Sequence, residues 1–121
     1  MLTKQAFIDK KAAVKKIEIP EWNDYAYIKK ISAAERTILM RATLKVEGKN
    51  VEFDGQNFMD SIVKTVQLTL CDEAGNRLFS DSQEDFDLLN SKDADVLEHI
   101  FSEASDFNCL SADDEKEAIK N

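Results

Sequence analysis

The chain has 121 residues, 43% of them apolar, which is enough for one domain with its own core and too apolar for wholesale disorder. Its net charge of −8, from 24 acidic against 16 basic side chains, argues against nucleic-acid binding, which needs clustered Lys and Arg on phosphates. No apolar run approaches the ~18–20 residues of a membrane span, and the basic, weakly amphipathic start does not read as a secretory leader, so a cytoplasmic protein is expected.

The charge is unevenly divided. Residues 1–50 carry 11 Lys and Arg against 6 acids, and residues 51–121 carry 5 against 18. Such asymmetry serves solubility, a partner of opposite charge, or head-to-tail self-association. Cys71 and Cys109 stand 38 positions apart and fit no zinc spacing. Without an export signal, reduced thiols are expected, although spacing alone does not decide between thiols and a disulfide.

In chain order, residues 3–15 are predicted as a first helix capped by Thr3, with Ala6, Phe7 and Val14 among its apolar positions. Ile17 and Ile19 alternate with Lys16 and Glu18. Pro20 and Asn23-Asp24 then supply turn chemistry before Tyr25, Tyr27, Ile28 and Ile31, so a β-hairpin is expected over 17–31. Ser32 with Glu35 forms a capping box that opens a helix over about 33–46, with Ile38, Ala42 and Val46 on one face. A rival reading makes residues 44–53 a second hairpin around Glu47–Asn50, and residues 52–57 read as a loop in either case.

From Asn57, the spacing of Phe58, Ile62, Val66 and Leu70, widened by Met59 and Val63, predicts a helix. Val66, Leu68 and Leu70 also alternate as a strand would, and the helical pattern covers more residues. Asp72 through Asn76 reads as a polar connection in which Gly75 supplies a left-handed residue ending that helix, with Leu78 and Phe79 returning to the core. Ser82 caps a short helix through Phe86 and Leu89. Ser91 caps a last helix whose stripe is Val96, Leu97, Ile100, Phe101 and Ala104. Residues 111–121 read as a loosely held polar tail. The expected architecture is α+β, mostly α: a small N-terminal β-hairpin packed on a bundle of about four helices. Within this single domain (1–121), a basic helix or arm (1–16) precedes the hairpin (17–31), the helical body (32–110) and the tail.

Little in the chain reads as reaction chemistry. His99, the one histidine, lies inside the last helix, and three glycines cannot build a phosphate loop. Counted as an EF-hand loop from Asp72, Gly75 falls at position four where a calcium loop needs its glycine at six. No catalytic, metal-binding or cofactor-binding residues are assigned, and no enzyme activity is expected.

Four segments resemble one known family. "IEIPEWNDYAYIKKISAAERT" (17–37) is similar to a strand-Pro-turn-strand followed by a Ser/Thr-x-x-Glu-Arg helix start. "VQLTLCDEAGNRLFSD" (66–81) resembles an apolar run, an Asp-Glu-x-Gly turn and Leu-Phe. "VLEHIFSEASDFNCLS" (96–111) resembles a late helix running into Asn-x-Leu, and "DEKEAIKN" a charged ending. Together they resemble the tail assembly chaperones of long-tailed bacteriophages, over about residues 17–121. The first 16 residues are longer than in that group, and "KVEGKNVEFDGQ" looks like a variable region.

The resemblance implies a non-enzymatic, non-virion protein of the host bacterial cytoplasm. It would bind the tape measure protein and hold it soluble until the tail tube polymerises. The tail tube protein and a frameshift-extended form of the chain itself are further possible partners; nucleic acid and membrane are not. This chain would be the short form. Trp22, Tyr25 and Tyr27 are the candidate client contacts, because aromatics near a hairpin tip give large contact area at small entropic cost. Against this stands the reading that the tyrosines simply pack the hairpin on the helices. A different class of function also fits the composition: an acidic protein that inhibits a basic host factor by charge mimicry, with binding that salt weakens strongly.

Overall fold

A computed structural model describes residues 1–43, 46–47, 50–51 and 55–110. Over these the chain builds five α-helices, a three-stranded antiparallel sheet and a two-stranded one. The fold is α+β and mostly helical, with the hairpin at the N-terminal side.

The first helix, α1 (Lys4–Asp9), is shorter than predicted. Thr3 does cap it, accepting the Ala6 amide at 3.2 Å. Of the rest of the expected helix, Val14 and Lys15 are instead drawn into strand β1 (Val14–Ile19), where they find partners across the sheet, and residues 10–13 connect the two elements. No residue of α1 is buried, and Phe7, expected on a packed face, is exposed.

β1 pairs with β2 (Asp24–Lys29) in a register that sets Ile17 opposite Ala26 and Glu18 opposite Tyr25. Pro20–Trp22 forms one turn of 3₁₀ helix between them. Pro20 enters it with its fixed φ, and Asn23 closes it in the left-handed region at φ 51°, a conformation Asn tolerates better than most residues. Alternation then separates two faces. Ile17, Ile19 and Ile28 are buried on the inner face, while Lys16, Glu18, Tyr25 and Tyr27 stand on the outer one.

The Ser32–Glu35 capping box forms as expected. The Ser32 hydroxyl accepts the Glu35 amide at 3.1 Å, and the Glu35 carboxylate accepts the Ser32 amide at 2.9 Å. Helix α2 (Ala33–Thr43) ends three residues before the predicted limit, because Val46–Glu47 (β3) pairs with Asn50–Val51 (β4). The rival hairpin reading therefore holds for these four residues, and its outer positions, Leu44 and Phe53, lie outside the described ones. On α2 Leu39 is buried, whereas Ile38, expected in the core stripe, is 42% exposed.

Helix α3 (Gly55–Thr69) starts two residues before Asn57, so part of the expected loop is helical. From residue 61 to 71 every side chain except Lys64 is buried, including four polar ones on α3. The hydroxyls are satisfied locally. Ser61 donates to the Phe58 carbonyl at 2.6 Å, Thr65 to Ser61 at 2.7 Å and Thr69 to Thr65 at 2.7 Å, so the backbone supplies the partners that burial requires. Gln67 donates to the Ser80 and Ser82 carbonyls at 2.6 and 3.2 Å.

At Leu70 the helix gives way to strand β5 (Leu70–Cys71), which joins the sheet beside β2. Both periodicities of this stretch are thus real, each over part of it. Gly75 is left-handed, at φ 90°, but it shapes the turn after β5 rather than ending a helix. Leu78 stays exposed, and Phe79 packs partly against the core.

Helix α4 (Gln83–Asn90) is capped by Ser82, which accepts the Asp85 amide at 3.1 Å. Ser91 does not cap the last helix; its hydroxyl donates to the Leu88 carbonyl at 2.6 Å and its amide ends α4. Helix α5 (Ala94–Asn108) begins after Asp93. Its expected stripe packs against α3 and β1, with Val96, Leu97, Ile100 and Ala104 buried and Phe101 half-buried. The 111–121 segment lies outside the described residues.

Candidate functional site

The three candidate aromatics are not equivalent. Tyr25 and Tyr27, two residues apart on β2, share the outer face and meet edge to face with ring centroids 5.9 Å apart. The Lys16 ammonium sits 4.3 Å from the Tyr25 ring centroid, a cation–π contact across the strand pair. Tyr25 remains 52% exposed, whereas Tyr27 is half-buried beside Cys71 of β5. Trp22 is 49% exposed at the hairpin bend, and its indole N–H donates to the Asp93 carboxylate at 3.3 Å. That bond also explains why Asp93 makes no side-chain cap for α5. The packing alternative accordingly applies to Tyr27 far more than to Tyr25.

Sequence patterning missed further exposed apolar side chains. Phe7 and Ile8 on α1, Ile38 and Met40 on α2, and Phe58 and Met59 on α3 are all exposed. Phe58 stands edge to face on Phe101 of α5, with centroids 6.4 Å apart. Helical spacing assigned Phe58, Met59 and Ile38 to core stripes. A stripe wider than the facing helix leaves its margins uncovered, which spacing alone does not reveal.

Residues 72–81 form a hydrogen-bonded turn after β5. The Asp72 carboxylate accepts the Ala74 and Asn76 amides, each at 2.9 Å, while the Asp72 amide donates to the Asn76 carbonyl at 2.9 Å. Arg77 reaches back to the Gln67 carbonyl at 3.1 Å and forward to Asp81 at 2.8 Å. Ser80 donates through its amide and hydroxyl to Asp85, at 2.7 and 2.8 Å. Among the described residues no group of three or more His, Cys, Asp or Glu is placed to hold a metal ion. His99 donates through Nε2 to the Glu18 carbonyl at 2.9 Å, tying α5 to β1. Cys71 and Cys109 are both free, the first buried and the second exposed. Burial, then the neighbouring Asp72, pushes the Cys71 thiol up, with Lys29 opposing; this keeps it protonated and unreactive.

These turn contacts give a pH prediction. Backbone hydrogen bonds from Asn76 lower the Asp72 pKa, the Arg77 hydrogen bond lowers Asp81, and the Ser80 amide lowers Asp85. A folded-state pKa below the unfolded value contributes stability that is complete above the ordinary carboxylate range, about 4, and lost as pH falls through the folded values. Urea midpoints should therefore be flat near neutrality with respect to these groups and fall at acid pH. The Asp72→Asn/Asp85→Asn variant should show a shallower fall than the parent, and an unchanged slope would remove these carboxylates from the account.

No helix among the described residues is long and apolar enough to cross a membrane. No protein-family model matches the chain, and no curated protein or solved structure matches it significantly.

Proposed function

We propose that this protein is a tail assembly chaperone that binds the tape measure protein of a long-tailed phage, acting by binding and not by catalysis. The observation that carries this reading is exposed apolar surface on a well-packed acidic body. Tyr25 and Trp22 are exposed at the hairpin, and Ile38, Met40 and Met59 are exposed on the helices. Exposed apolar side chains set among charges are what a holdase offers the apolar stripe of a helical client, and the net charge of −8 keeps the complex dispersed. The family resemblance over residues 17–121 supplies the identity of the client. The chain would work in the host bacterial cytoplasm, with the tail tube protein and a frameshift-extended form as further partners.

The test is co-expression with the long coiled-coil-like reading frame immediately downstream, scoring that partner's solubility and co-purification at low and high salt. The complex should survive high salt, because apolar burial is not screened. Tyr25→Ala should weaken co-purification roughly tenfold, the scale of losing one aromatic anchor, with the melting temperature nearly unchanged. Full binding by a folded Tyr25→Ala/Trp22→Ala variant would refute the assignment of these aromatics. Binding to a basic partner that collapses in salt would favour the charge-mimicry reading instead.

A further inference from the structure

Among the described residues, the three-stranded sheet, in the order β1-β2-β5, is covered beyond β5 and has no strand beyond β1. Beyond β5, Arg77 bridges Cys71 and the Leu78 amide donates to the Leu70 carbonyl at 3.1 Å, so that side is covered. On β1 the hydrogen-bonding phase can be read directly. The Lys30 amide donates to the Ala13 carbonyl at 2.9 Å, one step from the Val14–Lys29 pair. Alternation then turns the amides and carbonyls of Lys15, Ile17 and Ile19 toward β2, and those of Val14, Lys16 and Glu18 away from it. Of this outward row, the Glu18 carbonyl accepts from His99, which leaves one of its lone pairs open. Neither Pro nor a bulge interrupts the row before Pro20.

Lysines on an edge strand ordinarily discourage pairing. Here the charge pattern distinguishes among the ways a second copy could add. Antiparallel pairing must align the outward residues 14, 16 and 18 with one another. Centring on Lys16 sets that lysine against itself, centring on Glu18 opposes two carboxylates, and centring on Lys15 opposes two ammonium groups. Centring on Ile17 sets Lys16 opposite Glu18 of the second copy, twice by symmetry. Each such pair exchanges both main-chain hydrogen bonds and adds an opposite-charge contact on the outer face. Lys15 is held by Glu103 at 3.3 Å and stays clear of these pairs. Pro20, lacking an amide hydrogen, ends the seam.

We infer that two copies of this chain associate through antiparallel β1–β1 pairing centred on Ile17, joining their sheets into one. The outer face then carries a Tyr25–Tyr27 pair from each copy on a single surface. The association depends only on β1 and stands apart from the client reading.

Sedimentation velocity of the full chain over a concentration series tests it, with charge reversals at the seam. The parent chain should dimerise reversibly. Lys16→Glu and Glu18→Lys, each turning two attractive pairs repulsive, should weaken the dimer by roughly tenfold or more. The double variant Lys16→Glu/Glu18→Lys should restore it, which also shows that the strand tolerates the reversals. Disulfide trapping in a Cys109→Ser background gives a second measurement. Lys16→Cys mixed with Glu18→Cys should cross-link, because a hydrogen-bonded pair brings Cα atoms to about 5.5 Å, within disulfide range, while neither variant alone should. A parent chain that stays monomeric throughout, a double reversal that fails to restore association, or Lys16→Cys cross-linking with itself would overturn the inference.

Discussion

Asn108→Ala is expected to lower the unfolding free energy by about 2–4 kcal/mol, the scale of stripping partners from buried polar groups. Asn108 is 8% exposed at the end of α5. Its side-chain oxygen accepts the Ile31 amide at 2.8 Å, and its nitrogen donates to the Lys29 and Ala104 carbonyls at 3.2 and 3.0 Å. Alanine would leave the Ile31 amide and the Lys29 carbonyl, where β2 runs into α2, without those partners. The same corner gathers the carbonyl end of α5. Arg36 donates to the Asn108 and Cys109 carbonyls at 2.9 and 3.1 Å, and Lys30 donates to the Phe107 carbonyl. Cations at a helix C-terminus also oppose the negative end of its dipole. Cys109, left-handed at φ 55°, completes the turn, with the Leu110 amide reaching the Ser105 carbonyl at 2.8 Å. Because this cluster joins the hairpin, α2 and α5, its loss should loosen all three together. Urea denaturation followed by circular dichroism and by Trp22 fluorescence gives the measurement, and coincident transitions shifted to lower urea are the expected outcome. A change below about 0.5 kcal/mol would place the stability of this corner elsewhere.

Ile28→Ala should cost about 3–4 kcal/mol, in the usual range for emptying a buried aliphatic site. Ile28 is 0% exposed on the central strand, opposite Lys15 of β1 and Leu70 of β5, and belongs to the same core cluster as Ile17, Val66 and Ile100. Strands on both sides and helices beneath leave the cavity little room to collapse. Leu88→Ala is the matched control: its side chain is 47% exposed on α4, and a change within about 0.5 kcal/mol is expected. Thermal unfolding should separate the two by roughly 10 °C or more. Equal losses would mean that burial is not what ranks these positions.

Much of the architecture was legible because it rests on contacts only a few residues apart. Thr3, Ser32 and Ser82 each accept the amide three residues on, so the caps could be read locally. The hairpin bend depends on the φ preferences of Pro20 and Asn23 within one turn, and the α5 stripe on spacing along a single helix. Of the candidate site, Trp22 and Tyr25 are exposed as a contact surface requires, while Tyr27 is half-buried beside Cys71. The exposed margins at Ile38, Met40, Phe58 and Met59 were not legible, because hydrophobic spacing shows which side chains share a face but not how much of that face a neighbour covers.

The sequence by itself determined the starts of α1, α2 and α4, the hairpin and its turn, since propensity and capping act within a few residues. The tertiary structure decided where helix yields to strand. Leu70 and Cys71 leave α3 because Ile28 and Tyr27 offer them backbone partners, and Val14 is a strand residue because Lys29 lies opposite it. It also decided that neither Ser91 nor Asp93 caps α5 through its side chain: the Ser91 hydroxyl donates to Leu88 and the Asp93 carboxylate accepts from Trp22. These choices depend on groups distant along the chain, whose hydrogen bonds and covered surface exist only once the fold has brought them together.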